Sequence, residues 1–190
     1  MLIILTGVPG TGKTYFSTAF KKFGYDVVSI NELAIESGLF KEVGGEKIVN
    51  LKALGARLLE KVSKIKRDAV IEGHLACEIE EIGTLKPQIC IVLRKRPHLL
   101  KKILEKRGYS ERKIKDNLEC ELIDYCGTKC KEIGRIYELD VDNKREVKRV
   151  MNAIKKRKVK VLKDKYIDWL DYYSKSERKE FEKFIEWLVR

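Results

Sequence analysis

Short apolar runs punctuate the chain: LIILT at 2–6, DVVSI at 26–30, AVIEG at 69–73, ICIVLR at 89–94 and RIYELDV at 135–141. Away from their ends these runs are nearly continuous in hydrophobic residues, without the alternation of a half-exposed strand. Between them apolar residues recur at helical spacing: Lys13–Phe23, closed by Gly24; a stretch from 31 through 66; Pro97–Arg107, closed by Gly108; and Ser110–Cys130. Pro97 suits a first helical position, and Ser110 with Glu111 suits a cap and first turn. Fully apolar strands separated by helices predict an α/β fold, a five-stranded parallel sheet covered on both faces. Ligands of such sheets collect at the carboxyl ends of the strands. After the fifth run the pattern predicts a helix from Lys144 to about Lys158. Then comes a tail in which Phe181, Phe184, Ile185 and Leu188 share one helix face. The reading is a core over 1–156 and a helical extension, 157–190, docked on it.

The loop behind the first run reads GVPGTGKT, residues 7–14. Its spacing, Gly7-x-x-x-x-Gly12-Lys13-Thr14, is that of a P-loop. Glycines allow a turn tight enough to aim successive N–H groups at one anion. The next helix starts there, so its unpaired N–H groups face the same point. Lys13 then serves the β- and γ-phosphates of ATP, and Thr14 offers a hydroxyl to Mg2+. The third run closes in Glu72, with His74 two residues on. A carboxylate ending an apolar strand beside a P-loop is placed to hold Mg2+ with Thr14. His74 at the same edge is placed to orient an attacking hydroxyl or water; His98, at a helix start, reads as surface. The fourth run ends in Arg94, and Arg107-Gly108-Tyr109 breaks one helix before Ser110 starts the next. A short basic loop of this kind suits a lid over transferring phosphates, with Arg107 its leading cation.

Net charge is +12, and it is uneven. Residues 144–165 hold eleven Lys/Arg against two acidic residues, and residues 94–115 hold ten against two. Solvated helix faces explain part of this; a polyanionic partner such as RNA is the sharper reading. No apolar run nears the ~18 residues of a membrane span, and the opening is too short for a signal peptide. The class is that of a cytoplasmic enzyme with no membrane partner. Cys77, Cys90, Cys120, Cys126 and Cys130 are expected as free thiols. Cys126-x-x-x-Cys130 has no matching Cys/His pair nearby, which argues against zinc.

Taken together, LTGVPGTGKT, SINELAIESGLF, VIEGHLA and above all IVLRKRPHLLKKILEKRGYSERKIKDNLECELIDYC resemble the adenylate kinase isoenzyme 6 family, in its archaeal branch, over roughly residues 1–156. The resemblance implies a nucleoside monophosphate kinase fold, ATP as donor and an ATPase activity. It also implies association with a ribosomal protein of the small-subunit platform during late maturation of small-subunit rRNA. By position, Gly10, Gly12, Lys13, Thr14 and Tyr15 match the family's ATP-binding loop, to which the spacing adds Gly7. Arg107 matches its lid arginine, with the lid at about 106–116. Glu72 and His74 match its Asp-x-His, with a longer acid. The monophosphate-binding region falls at about 31–51, where KEVGGEKIVNLKAL is shorter and less acidic than the family pattern and Ile35 replaces an arginine.

Three activities share these parts: Mg2+-dependent phosphoryl transfer from ATP to AMP or another monophosphate; an ATPase switch that binds and releases a ribosomal protein; and a small-metabolite kinase on the same core. The lid string favours the first over the third, and the basic clusters favour the second.

Overall fold

The structure, a computed structural model, describes residues 1–43, 46–176 and 178–189. Its frame is a five-stranded sheet of β1 (Leu2–Thr6), β2 (Asp26–Ser29), β5 (Ala69–Glu72), β6 (Ile89–Arg94) and β7 (Ile136–Asp140). The spatial order is β2-β5-β1-β6-β7, and every pair is parallel. All five apolar runs of the sequence became these strands. Side chains alternate across the sheet, so each strand feeds two cores. On one face Ile3, Leu5, Ile89, Ile91 and Leu93 pack under α1 (Lys13–Lys22) and α7 (Lys144–Lys155), through Phe16, Phe20, Val150 and Ile154. On the other, Ile4, Ile71, Cys90 and Val92 meet α3 (Leu51–Ser63), α4 (Pro97–Lys106), α5 (Glu111–Leu122) and α6 (Tyr125–Cys130). Burying each such Ile or Leu contributes about 1.5–3 kcal/mol.

Two long helical readings are corrected. The stretch from 31 to 66 divides into α2 (Ile30–Glu36), the antiparallel strands β3 (Phe40–Val43) and β4 (Glu46–Val49), and α3. Gly44 and Gly45 of the expected monophosphate-binding region lie outside the described residues. Ser110–Cys130 divides into α5 and α6, because Asp124 takes φ 54° and its carboxylate accepts from Gly127 N at 3.2 Å, starting a second helix.

The tail is strapped to the sheet. Glu138 N donates to Lys165 O at 3.0 Å and Lys165 N to Ile136 O at 3.2 Å, one parallel bridge beyond β7. Helices α8 (Trp169–Ser176) and α9 (Arg178–Val189) follow, and Phe184 and Leu188 join the core of α4 and α5. Trp169 is buried, its Nε1 donating to Glu121 Oε1 at 2.7 Å.

The expectation of free thiols throughout is also corrected. Cys77 and Cys130 form a disulfide, with Cα atoms 5.2 Å apart; Cys90, Cys120 and Cys126 remain thiols. The bridge closes a loop of 53 residues in sequence, which by chain entropy stabilises the fold by about 4 kcal/mol. No helix among the described residues is long and apolar enough to cross a membrane.

Candidate active site

Strands β1 and β5 lie side by side and end together, with Leu5 opposite Glu72. The chain leaves β1 through a loop whose glycines meet two separate demands. Gly7 takes φ 137°, and a Cβ there would stand 2.5 Å from Leu93 O. Gly10 takes φ 95°, and a Cβ there would stand 2.7 Å from Leu100 Cδ1 of α4. Both positions combine left-handed backbone with close approach, so only glycine fits. Thr11 Oγ1 closes the turn from inside by donating to Val8 O at 2.9 Å. Gly12 precedes α1, and no side chain caps that helix. Its first N–H groups and dipole are therefore directed at the sheet edge.

Lys13 lies in the curl of this loop. Its Nζ donates to Gly7 O at 2.7 Å and Val8 O at 3.1 Å. Burial draws its pKa down to about 8; the Glu72 carboxylate pulls it back, and the Arg107 guanidinium pushes it down again. Lys13, Glu72 and Arg107 thus share one electrostatic neighbourhood. His74 belongs to it too: burial first, and then the charge of Lys13, hold its pKa down at about 4. At neutral pH the imidazole is uncharged beside an ammonium, fit to accept a hydrogen bond. Its segment is tied to the P-loop strand, since Gly73 N donates to Leu5 O at 3.1 Å and Thr6 Oγ1 reaches His74 O at 3.5 Å.

Thr14 and Tyr15 stand exposed on the first turn of α1, Tyr15 at 70%. A Thr14 hydroxyl and a Glu72 carboxylate are hard oxygen donors of the kind Mg2+ takes. The donor chemistry of this edge therefore fits both a polyphosphate and its metal. Arg107 is the exposed C-cap of α4, and Ser110 caps α5 by accepting from Lys113 N at 3.4 Å. The expected lid is the turn joining these two helices. A cleft of about 410 Å³ lies against the β3–β4 strands, bordered by Leu39, Phe40, Ile48 and Asn50.

Arg94 and His98 are placed elsewhere than the sequence suggested. Arg94 turns inward and is buried, donating to Glu121 at 2.8 Å, Asp124 at 2.6 Å and Glu138 at 2.5 Å. Burial, with the Asp124 carboxyl beside it, pushes Glu138 up to about 8 against the pull of Arg94. A guanidinium so occupied serves the fold. His98 is half-buried, its Nδ1 2.5 Å from Tyr173 OH, and Arg96 lies 5.1 Å over the Tyr172 ring. Missing from the sequence reading were Glu121 and Glu138; an acid inside the apolar run RIYELDV was the available signal.

The chain and its fold have known counterparts. The AAA domain family model matches residues 3–124. A protein of Archaeoglobus fulgidus named "Putative adenylate kinase" is 37% identical over 74% of this chain and 72% of its own length. One of Pyrococcus abyssi with the same name is 34% identical over 91% of this chain and 93% of its own. Among solved structures, shikimate kinase from Acinetobacter baumannii superposes with a TM-score of 0.60 at 17% identity, covering 84% of this chain and 93% of that one. Deoxyadenosine kinase from M. mycoides does so at 0.52 and 15%, covering 81% and 99%. At such identities these two speak for the fold alone.

Proposed function

Since the chain belongs to the AAA domain family and to the archaeal relatives named putative adenylate kinase, we propose that it transfers the terminal phosphoryl group of ATP to a nucleoside monophosphate, AMP first among them. The observation that carries this is the electrostatic neighbourhood that Lys13, at the glycine loop, shares with Glu72, His74 and Arg107. In the proposed step Gly7, Gly10, Gly12 and the start of α1 cradle the phosphates, with Tyr15 beside them. Lys13 exchanges its bonds to Gly7 O and Val8 O for bonds to the β- and γ-phosphate oxygens. Thr14 and Glu72 are assigned to Mg2+, which when bound offsets phosphate charge. The γ-phosphorus–oxygen bond to ADP breaks as a bond to an acceptor phosphate oxygen forms. Arg107, on the lid 106–116, stabilises the charge of the group in flight. Neutral His74 accepts a hydrogen bond from an attacking water when no monophosphate is present, which gives ATPase activity by the same route. The strands β3 and β4 and their cleft, within 31–51, are assigned to the acceptor.

A second reading rests on the exposed cations of α7 and the turn after it, including Lys148, Lys155, Lys156 and Lys158. These suit an ATPase switch that holds a small-subunit ribosomal protein and rRNA, in the cytoplasm, over the core 1–156 and extension 157–190. Turnover of ATP measured with a monophosphate panel separates the readings. Stimulation by AMP with formation of ADP supports the kinase. Turnover indifferent to every monophosphate but raised by the ribosomal partner overturns it in favour of the switch.

A further inference from the structure

The P-loop edge makes no use of three sulfur atoms gathered at the end of α6. Three separate elements deliver them. Cys77 follows the Glu72–His74 segment, Cys90 lies in β6, and Cys130 ends α6. Their Sγ atoms all lie within 4.8 Å of one another. A disulfide needs two of these; the third comes from a strand that has no part in the bridge. A cation held by thiolates at about 2.3 Å sets its sulfurs about 4 Å apart, so once the bridge opens Cys77 and Cys130 must part from bonding distance to that spacing, with the Cys90 sulfur already within 4.8 Å of both. Cys90 and Cys130 are buried among apolar residues, whereas Cys77 lines a surface groove with Leu51, Glu78, Lys129 and Ile133. Reagents therefore enter on the Cys77 side.

We propose that Cys77, Cys90 and Cys130, once the bridge is reduced, form a three-thiolate site for a soft divalent cation of the zinc class. The position is then cross-linked in either state, by a sulfur–sulfur bond or by a metal. In the first step a dithiol gives two electrons and two protons to the Cys77–Cys130 bond, and leaves as its own disulfide. In the second, the cation displaces one proton from each of three thiols; the protons leave to solvent, and the thiolates supply three ligands with water as the fourth. Burial pushes the Cys90 thiol up to about 12, so it stays protonated, and a poor nucleophile, unless a cation draws the proton off.

The test uses the full chain, reduced with dithiothreitol, desalted without air and titrated with Cd2+, whose thiolate complexes absorb in the ultraviolet. The expected result is one equivalent bound by reduced protein and none at this position by the disulfide form. Cys90→Ser should weaken binding at least tenfold, while Cys120→Ser and Cys126→Ser leave it unchanged. Should Cys90→Ser not fold, melting of the parent decides: Zn2+ raises the melting temperature of the reduced form and not of the oxidised one. Absence of the thiolate band on reduction, binding within threefold of the parent in folded Cys90→Ser, or loss of the band in the Cys120 or Cys126 variant overturns the proposal.

Discussion

Acidification from pH 7 to 5 should destabilise this protein through His74 in particular. The side chain is half-buried beside Lys13, and its pKa is held at about 4 against 6.5 for an ordinary histidine. Between those values the unfolded chain binds a proton that the folded one refuses. Stability therefore rises with pH across the window 4 to 6.5, is at its full value above it, and is penalised most below 4. For an undiscounted shift the linkage between pH 7 and 5 amounts to about 2 kcal/mol, and partial solvent exposure reduces it to roughly 1. Carboxylates titrate in the same range, so the quantity to measure is a difference. Urea denaturation of the parent and of His74→Gln at pH 5 and pH 7 isolates it. The parent should lose about 1–2 kcal/mol more than the variant on acidification. Lys13→Met removes the second cause, and should shrink the parent's excess loss. If parent and His74→Gln lose the same stability within ~0.3 kcal/mol, histidine is not being kept neutral by its surroundings and the electrostatic account of this edge fails.

Lys13→Ala should reduce phosphoryl transfer at least about 100-fold, or ~2.7 kcal/mol, because a positioned cation on developing phosphate charge is lost; steady-state turnover within threefold of the parent would refute this. Arg94→Met should cost about 3–5 kcal/mol of unfolding free energy, since it strands the buried Glu121 and Glu138 carboxyls; a denaturant midpoint unchanged from the parent contradicts it. Charge reversal at Lys148, Lys155, Lys156 and Lys158 should flatten the salt dependence of RNA binding and spare ATP turnover; equal slopes would return those lysines to solvated surface. Arg157 is best left out of that set, because it pairs with Asp68 at 3.0 Å and donates to Phe23 O at 2.8 Å.

The sheet was readable because both of its faces are covered, so strands such as ICIVLR carry no polar interruption. The phosphate loop was readable because its glycines answer backbone demands that hardly any other residue meets. Harder to see were features set by distant partners. The β3–β4 strands hid within a stretch with helix-compatible spacing, although Gly44-Gly45 is a hairpin signal in the sequence. Arg94 looked available for phosphate because its acids come from α5, from the turn before α6 and from β7. The same holds for Cys77 and Cys130, 53 residues apart, and for His98, whose partner Tyr173 belongs to the tail. Local pattern reports what a segment is, and only the assembled fold reports what it meets.

The strap from Lys165 to Trp169 also bears on the order of events during synthesis. Ile167 N donates to Glu138 at 2.7 Å, Ile167 O accepts from Arg94 at 3.3 Å, and Trp169 closes over Glu121. Each of these partners is translated earlier than the strap, and the strap is made after every strand of the sheet. A nascent chain that has emerged only as far as β7 therefore holds one guanidinium and its acids with water still able to enter. Its apolar cluster also still lacks Phe184 and Leu188. Ribosome-held chains whose emerged part stops before residue 165 should be cut by protease around α5 and α6, and chains whose emerged part, on an added linker, passes residue 188 should resist.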